Sequence, residues 1–125
     1  MNVNQKIENA LSLMVNGNIW PLSCPLETKP DKWIIYIPEV ENPSICADNY
    51  DIEWTHYMQV HWFAKGQANY MSTRKEIRKL LRNAGFSVTD IDYYYETDST
   101  VTSPSGTGIT HLVFSCNIEE DDTDG

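Results

Sequence analysis

The sequence predicts an α+β domain in which a mostly antiparallel four-stranded sheet packs against two helices, in the order α-β-β-α-β-β. A run of β-branched and aromatic residues over 53–63, with apolar side chains at every second position, indicates a long strand. After residues 64–66 the apolar period changes to 3.6, which indicates a helix. The apolar stripe of that helix comprises Ile77, Leu80, Leu81 and Ala84. Such a helix can lie across the long strand and cover its apolar face.

A first helix is predicted over residues 4–15, and Asn16-Gly17-Asn18 ends it. Its apolar face comprises Ile7, Ala10, Leu11 and Met14. Trp20-Pro21 and the prolines at 25 and 30 then predict an extended connection that cannot be helical. In the second helix, Gly85 occupies the position that a C-cap glycine takes.

Four strands make up the predicted sheet. Residues 33–37 form a short apolar strand ended by Pro38, of the kind found either covered on both faces or at a subunit contact. In the long strand, the more apolar face is predicted to be buried; it comprises Trp54, His56, Met58, Val60 and Trp62. Residues 87–96 and 109–118 form the last two strands and pair with each other.

Two long segments connect these elements. The acidic segment 39–51 is predicted to be a loop, either a crossing between strands or an irregular arm. The segment 97–108 is far longer than a tight hairpin needs. We assign residues 1–118 to one domain and residues 119–125 to a solvated acidic tail.

Composition restricts the function. The chain has 125 residues and a net charge of −9, which argues against general nucleic-acid binding because a phosphate backbone needs a basic surface. The N-terminus does not resemble a signal peptide, and no apolar run approaches the ~20 residues of a membrane span. The three cysteines, Cys24, Cys46 and Cys116, have no paired spacing, as is typical of thiols in a reducing cytosol.

The histidines are the first candidates for chemistry. His56 and His61 lie five residues apart on one strand and therefore point to opposite faces, while His111 lies on another strand. We interpret all three as structural histidines among aromatic residues, and we expect no catalytic residue, no metal and no cofactor. Asp90, Asp92 and Glu96 share one strand face; a cation site is possible, but the solvated face of an edge strand is favoured.

The second helix carries five of the nine Lys and Arg residues of the chain. These are Arg74, Lys75, Arg78, Lys79 and Arg82. One interpretation is the solvated back of an amphipathic helix. Another is a lateral contact with the acidic surface of a second copy, since head-to-tail contacts of that kind close into rings. Contact with a nucleic acid is a weaker third interpretation, because the surrounding acidic residues would repel it.

The order of elements resembles the tail terminator, or tail-completion, proteins of long-tailed bacteriophages, a group that includes head–tail joining proteins. The resemblance lies in the helix 7–14, the aromatic strand ending Val60-His61-Trp62-Phe63-Ala64-Lys65-Gly66, the helix ending Leu80-Leu81-Arg82-Asn83-Ala84-Gly85-Phe86, and the closing strand 111–120 that runs into acidic residues. It covers most of the chain except the segments 20–30 and 97–108.

This resemblance implies a non-enzymatic virion protein, made in the host cytoplasm, that needs no cofactor. A homo-oligomeric ring, typically of six copies, would sit on the tail tube, stop its growth and present a surface to the neck and head. DNA would only pass through the channel, and no membrane is involved. The cations of the second helix are the candidate lateral contacts. The candidate axial contacts are Glu39, Glu41, Asp48, Asp51, Thr100, Val101, Ser103 and Pro104.

Two alternatives stay open at the level of sequence. The first is another neck, head-completion or tail-tube protein of the same particle. The second belongs to another class, a small cytosolic enzyme or ligand-binding domain that uses His56, His61 or His111.

Overall fold

The computed structural model describes residues 2–45, 52–66, 69–97, 102–103 and 106–121. The helices are α1 Val3–Leu11, continued by a 3₁₀ turn at Ser12–Val15, and α2 Tyr70–Asn83. The strands are β1 Ile19–Pro21, β2 Lys32–Ile45, β3 Ile52–Lys65, β4 Ser87–Glu96, β5 Thr102–Ser103, β6 Gly106–Thr107 and β7 Ile109–Asp121.

The main sheet has five strands in the order β1-β2-β3-β7-β4, and the α+β class is confirmed. The prediction of a four-stranded sheet is wrong because Ile19–Pro21 adds a strand, and the sheet is mixed because this strand runs parallel to β2. Proline is tolerated here since β1 is an edge strand that pairs on one side only. A separate two-stranded pair joins β5 to β6 within the segment predicted as a loop.

Strand β2 is longer than predicted. Its predicted end at Pro38 is wrong, because the strand continues to Ile45. On one side of β2, the neighbouring strand β1 pairs with residues up to Tyr36 and no further. The missing N–H of Pro38 therefore interrupts no hydrogen bonds between strands on that side. The register against β3 shifts between Pro38 and Val40, which leaves Glu39 as the extra residue of a bulge.

The ends of both helices follow local sequence signals. Asn2 and Gln5 form a capping box at the start of α1, with nitrogen-to-oxygen distances of 2.8 and 2.9 Å. At the end of α2, Gly85 has φ = 102°, and the N–H of Phe86 donates to the Leu81 carbonyl at 3.0 Å. This is the Schellman arrangement, so the role predicted for Gly85 is confirmed.

Both helices pack on one face of the sheet, where they form the core. The buried core side chains include Ile7, Leu11, Ile77 and Leu81 from the helices and Ile34, Val60, Trp62, Leu112 and Phe114 from the strands. The predicted burial is confirmed for Met58, Val60 and Trp62, whereas Trp54 and His56 are only partly buried. The Tyr36 hydroxyl donates a hydrogen bond to the Glu8 carboxylate and so ties β2 to α1.

The closing strand is also longer than predicted. β7 runs to Asp121, so Glu119, Glu120 and Asp121 belong to the strand rather than to a tail. They pair with Thr55, Trp54 and Glu53 of β3. The sheet extends this far because β3 itself begins at Ile52 and offers them a partner. Residues 122–125 lie outside the described part of the chain.

Candidate functional site

The face of the sheet opposite the helices is the candidate functional surface, and we call it the helix-free face. Its residues follow from the strand register, because side chains of paired residues lie on the same side. Within the described residues, both helices bury their side chains on the other side. The helix-free face comprises Trp33, Ile35 and Ile37 of β2, Gln59, His61 and Phe63 of β3, His111, Val113 and Ser115 of β7, and Asp90, Asp92, Tyr94 and Glu96 of β4.

A row of stacked rings crosses four strands of this face. The Trp33 and Phe63 rings lie 4.9 Å apart at 9° to each other, and the Phe63 and His111 rings lie 4.2 Å apart at 19°. The Tyr94 ring tilts against His111 at 5.7 Å. Such contacts between neighbouring strands fix the side chains in place. The rings therefore form one continuous row of contacts that joins β2, β3, β7 and β4.

His61 and His111 form a hydrogen-bonded pair in this row. Nδ1 of His61 lies 2.7 Å from Nε2 of His111. The outer nitrogens also have partners: Nε2 of His61 lies 3.0 Å from Gln59 Oε1, and Nδ1 of His111 lies 3.0 Å from Glu96 Oε1. All four ring nitrogens of the pair thus have a partner within the protein.

The partners decide how many protons the pair holds. A carboxylate only accepts, so Nδ1–H of His111 donates to Glu96. If Gln59 Oε1 accepts from Nε2–H of His61, one further proton joins the inner nitrogens and the pair carries one positive charge. The neutral pair requires the Gln59 amide to turn over, so that its N–H donates to His61.

A positive charge on His61 is disfavoured. Burial lowers the pKa of His61 to about 4, with a further contribution from the neighbouring His111 that outweighs the attraction of Glu96. Near neutral pH, His61 itself is therefore uncharged. The pair is a connection between β3, β7 and β4, and its ring nitrogens are all occupied.

The third histidine lies elsewhere. His56 is on the helix side of β3, where its Nδ1 lies 3.3 Å from Glu41 Oε1, so the prediction that His56 and His61 face opposite sides is confirmed. A small cleft beside it is lined by Asn2, Asn4, Pro38, Glu41, His56 and Met58. Among the described residues, no group of three or more His, Cys, Asp and Glu side chains is arranged to hold a metal ion.

The acidic residues of the helix-free face lie on the outermost strand. β4 is an edge strand, and Asp90, Asp92 and Glu96 share one of its faces, as predicted. All three are exposed, and Tyr94 between them is 50% exposed. Only Glu96 has an ionisable partner within ion-pair distance, His111, among the residues that the structure describes. Asp90 and Asp92 thus present two carboxylates to solvent.

The basic residues of α2 lie on the opposite side of the molecule. Ile77 and Leu81 point into the core, which leaves Lys75, Arg78, Lys79 and Arg82 exposed and Arg74 partly exposed. A shallow cleft is lined by Lys75, Arg78, Lys79, Arg82 and Asn83. In the described part of the chain, no carboxylate lies within ion-pair distance of any of the five cations. We call this surface the cationic face of α2.

The residues predicted for axial contacts are only partly described. Glu39 and Glu41, predicted to lie in a loop, lie in β2 instead, and Ser103 lies in β5. Asp48, Asp51, Thr100, Val101 and Pro104 fall outside the described residues.

An apolar surface that the sequence did not indicate lies between the helices. Leu13, in the 3₁₀ turn, is 92% exposed. It borders a cleft lined by Lys6, Asn9, Ala10, Leu13, Leu80, Asn83 and Ala84. The helical pattern around Ile7 and Leu11 could have indicated that Leu13 is exposed, because Leu13 is apolar but does not lie on the helix face that Ile7 and Leu11 share.

Two further observations bear on identity. No helix among the described residues is long and apolar enough to cross a membrane. No protein-family model and no curated protein matches the chain.

Proposed function

We propose that this protein acts by assembly, as the tail terminator of a long-tailed bacteriophage. Copies of the chain form a ring, expected to hold six, that caps the tail tube, stops tail growth and joins the tail to the neck and head. Its partners are further copies of itself, the tail-tube protein and a neck or head-completion protein. The finished protein is part of the virion and needs no cofactor or membrane.

One observation carries the proposal: the protein presents two unlike charged surfaces on opposite sides of a single sheet. The cationic face of α2 lies on the helix side, and the exposed carboxylates of Asp90 and Asp92 lie on the other. A ring in which every copy contacts the next head-to-tail requires two different surfaces on each subunit. Opposite charges on those surfaces favour that contact over the contact of like surfaces.

The occupied ring nitrogens support assembly over catalysis. A general base must offer a free nitrogen to its substrate, within about 3 Å of the proton that it takes. Each ring nitrogen of His61 and His111 instead has a partner at 3.0 Å or less within the protein. The pair therefore suits a role in holding the sheet together better than a role in proton transfer.

The net charge of −9 suits a protein beside a DNA channel. Carboxylates on a channel wall repel the phosphate backbone, so DNA passes without adhering. The ring proposal needs this property, because DNA has to leave the head through any structure at the top of the tail.

In the decisive experiment, the gene is disrupted in the phage or prophage that carries it. The lysate is then examined by electron microscopy. We expect filled heads beside unattached tails of irregular or excessive length, and rescue by the wild-type gene supplied from a plasmid. Tails of normal length that are not joined to heads would reassign the protein to the neck. Intact particles would overturn the proposal.

A matched variant tests the alternative class. His61→Ala removes the histidine pair and leaves the charged surfaces unchanged. We expect the plasmid-borne variant to restore tails of normal length as long as it folds, as judged by circular dichroism. A folded variant that assembles normally but lacks function would favour a ligand-binding or catalytic role for the histidines.

A further inference from the structure

We propose that the cationic face of α2 docks onto the β4 side of the helix-free face of a second copy. Two successive arginines of the row Arg74, Arg78 and Arg82 then face Asp90 and Asp92 of the neighbour. This inference rests on the proposed self-assembly and names the two surfaces that meet.

The spacing of the two charged rows agrees. Residues four apart on a helix are separated by about 6 Å along its axis, since each residue rises about 1.5 Å. Residues two apart on a strand share a face and are separated by about 6.7 Å. A helix that lies along β4 can therefore place Arg78 and Arg82, or Arg74 and Arg78, opposite Asp90 and Asp92 at the same time.

The charges on both rows are available. Among the described residues, neither Asp90 nor Asp92 has an ion-pair partner within its own chain, and the same is true of the α2 arginines. Arginine is suited to this contact because its planar guanidinium binds a carboxylate with two parallel hydrogen bonds. Several such pairs at one interface act together, whereas a single exposed pair contributes little.

Tyr94 supplies an uncharged contact in the same place. It follows Asp92 by two residues on the same face of β4 and is 50% exposed. The tilted contact with His111 holds its ring in position. Exposed tyrosines next to carboxylates are favourable for arginine, which stacks on aromatic rings while it binds the acids. The surface thus combines charge with an aromatic anchor.

The two surfaces cannot meet within one copy. α2 buries Ile77 and Leu81 against one face of the sheet, and Asp90 and Asp92 lie on the other face. The contact is therefore between copies, and it joins two different surfaces. Each copy that accepts a neighbour's helix still has its own α2 free to dock on the next, so the contact repeats around a ring if the rotation closes.

The test uses two charge-reversed proteins. In the first, R78E and R82E make the helix face negative; in the second, D90R and D92R make the strand face positive. Each protein alone then presents two surfaces of the same sign, so we expect sedimentation analysis at low salt to show self-association weakened by about tenfold or more. Circular dichroism verifies that both proteins fold.

Mixing the two proteins gives the sharper prediction. The intact carboxylates of the first protein meet the intact arginines of the second, and the reversed surfaces also match. We expect the equimolar mixture, and the protein with all four changes, to regain the association of wild type. As a control, the double variant E27R/K32E reverses two exposed charges away from both surfaces, and we expect wild-type association.

Three sedimentation results would overturn the inference, and the first two leave the proposed function standing. If wild type associates and either reversed protein still associates equally well, the interface lies elsewhere while the ring proposal stands. If the mixture does not regain association, the two surfaces do not pair with each other. If wild type stays monomeric at its highest soluble concentration, both proposals fail.

Duplex DNA serves as a further probe in a gel-retardation experiment. Retardation of the DNA by wild type but not by R78E/R82E would assign α2 to nucleic-acid binding instead.

Discussion

At the scale of single residues, His61 makes stability depend on pH. The pKa of His61 is lowered to about 4 in the folded protein, from an ordinary value of 6.5. Between these values the unfolded chain binds more protons at this position, so the free energy of unfolding rises with pH. The stabilising contribution is complete above pH 6.5 and is lost as the pH falls to about 4.

We therefore expect the stability of wild type relative to His61→Gln to decrease on acidification through this window. Urea unfolding of both proteins at a series of pH values measures the difference and cancels the titration of groups that the two share. His56→Gln, on the other face of β3, is the control. A difference between wild type and His61→Gln that does not change with pH would show that His61 is not the cause.

Cys116 makes a second prediction at this scale. Burial, with a contribution from Glu39, raises the pKa of its thiol to about 12, and only the thiolate is a good nucleophile. Cys24 is partly exposed. In a Cys46→Ser background, which removes a thiol outside the described residues, we expect iodoacetamide to label Cys24 in the folded protein and Cys116 only after unfolding. Equal labelling rates in the folded protein would contradict this burial.

At the scale of elements, Gly108 lies directly before β7, at a point where the backbone passes close to the end of β4. Its φ is 108°, and an added Cβ would lie 2.5 Å from the Glu96 carbonyl oxygen. Gly85 has a similar φ of 102°, but its added Cβ would meet only the Ile118 side chain, at 3.4 Å. The two glycines thus share the backbone conformation and differ in the space around them.

We expect Gly85→Ala to lower the free energy of unfolding by about 1–2 kcal/mol, the ordinary cost of a left-handed L-residue. Gly108→Ala should cost more, because the end of β4 must move to make room. Since that movement displaces Glu96, whose carboxylate raises the pKa of His61, from the histidine pair, the variant should also strengthen the pH dependence that His61 confers. Equal losses of stability in the two variants, measured by urea unfolding, would show that β4 does not constrain Gly108.

The elements that the sequence predicted well are those fixed by local signals. The apolar stripe of α2, its end at Gly85 and the burial of Val60 and Trp62 each follow from residues close in the chain. The extension of β2 past Pro38 and the pairing of β1 do not follow in this way. Both depend on whether another strand lies beside the residues in question. The order of strands in the assembled sheet decides this, and local sequence does not.

In the candidate site, too, the features that local sequence determines were predicted, and those that depend on the pairing of strands were not. Period-two alternation predicted that Asp90 and Asp92 share a face and that His56 and His61 do not, since this requires only counting along one strand. The meeting of His61 with His111 depends on the register between β3 and β7, in which Phe63 lies opposite His111. A shift of one residue would have placed the two histidines on different faces, so no local pattern indicates their contact.

At the scale of the whole molecule, the proposed contact between copies should respond to salt. The charges of α2 and β4 that form it are mostly exposed, and screening weakens exposed charge pairs, with a Debye length of about 10 Å at 0.1 M and about 3 Å at 1 M. We expect sedimentation analysis to show weaker association as sodium chloride rises. Association that strengthens with salt would instead indicate an apolar interface, for which the cleft beside Leu13 is the best candidate.

The position of β7 has a consequence for synthesis. β7 is the last of the described strands to leave the ribosome, yet it lies between β3 and β4 inside the sheet. The hairpin of β2 and β3 can form early, since its strands are neighbours in the chain. β4 has no partner in the main sheet until β7 arrives. A nascent chain that stops before Ile109 therefore lacks the middle of its sheet, and premature termination should yield a product that proteases remove rather than a shortened folded protein.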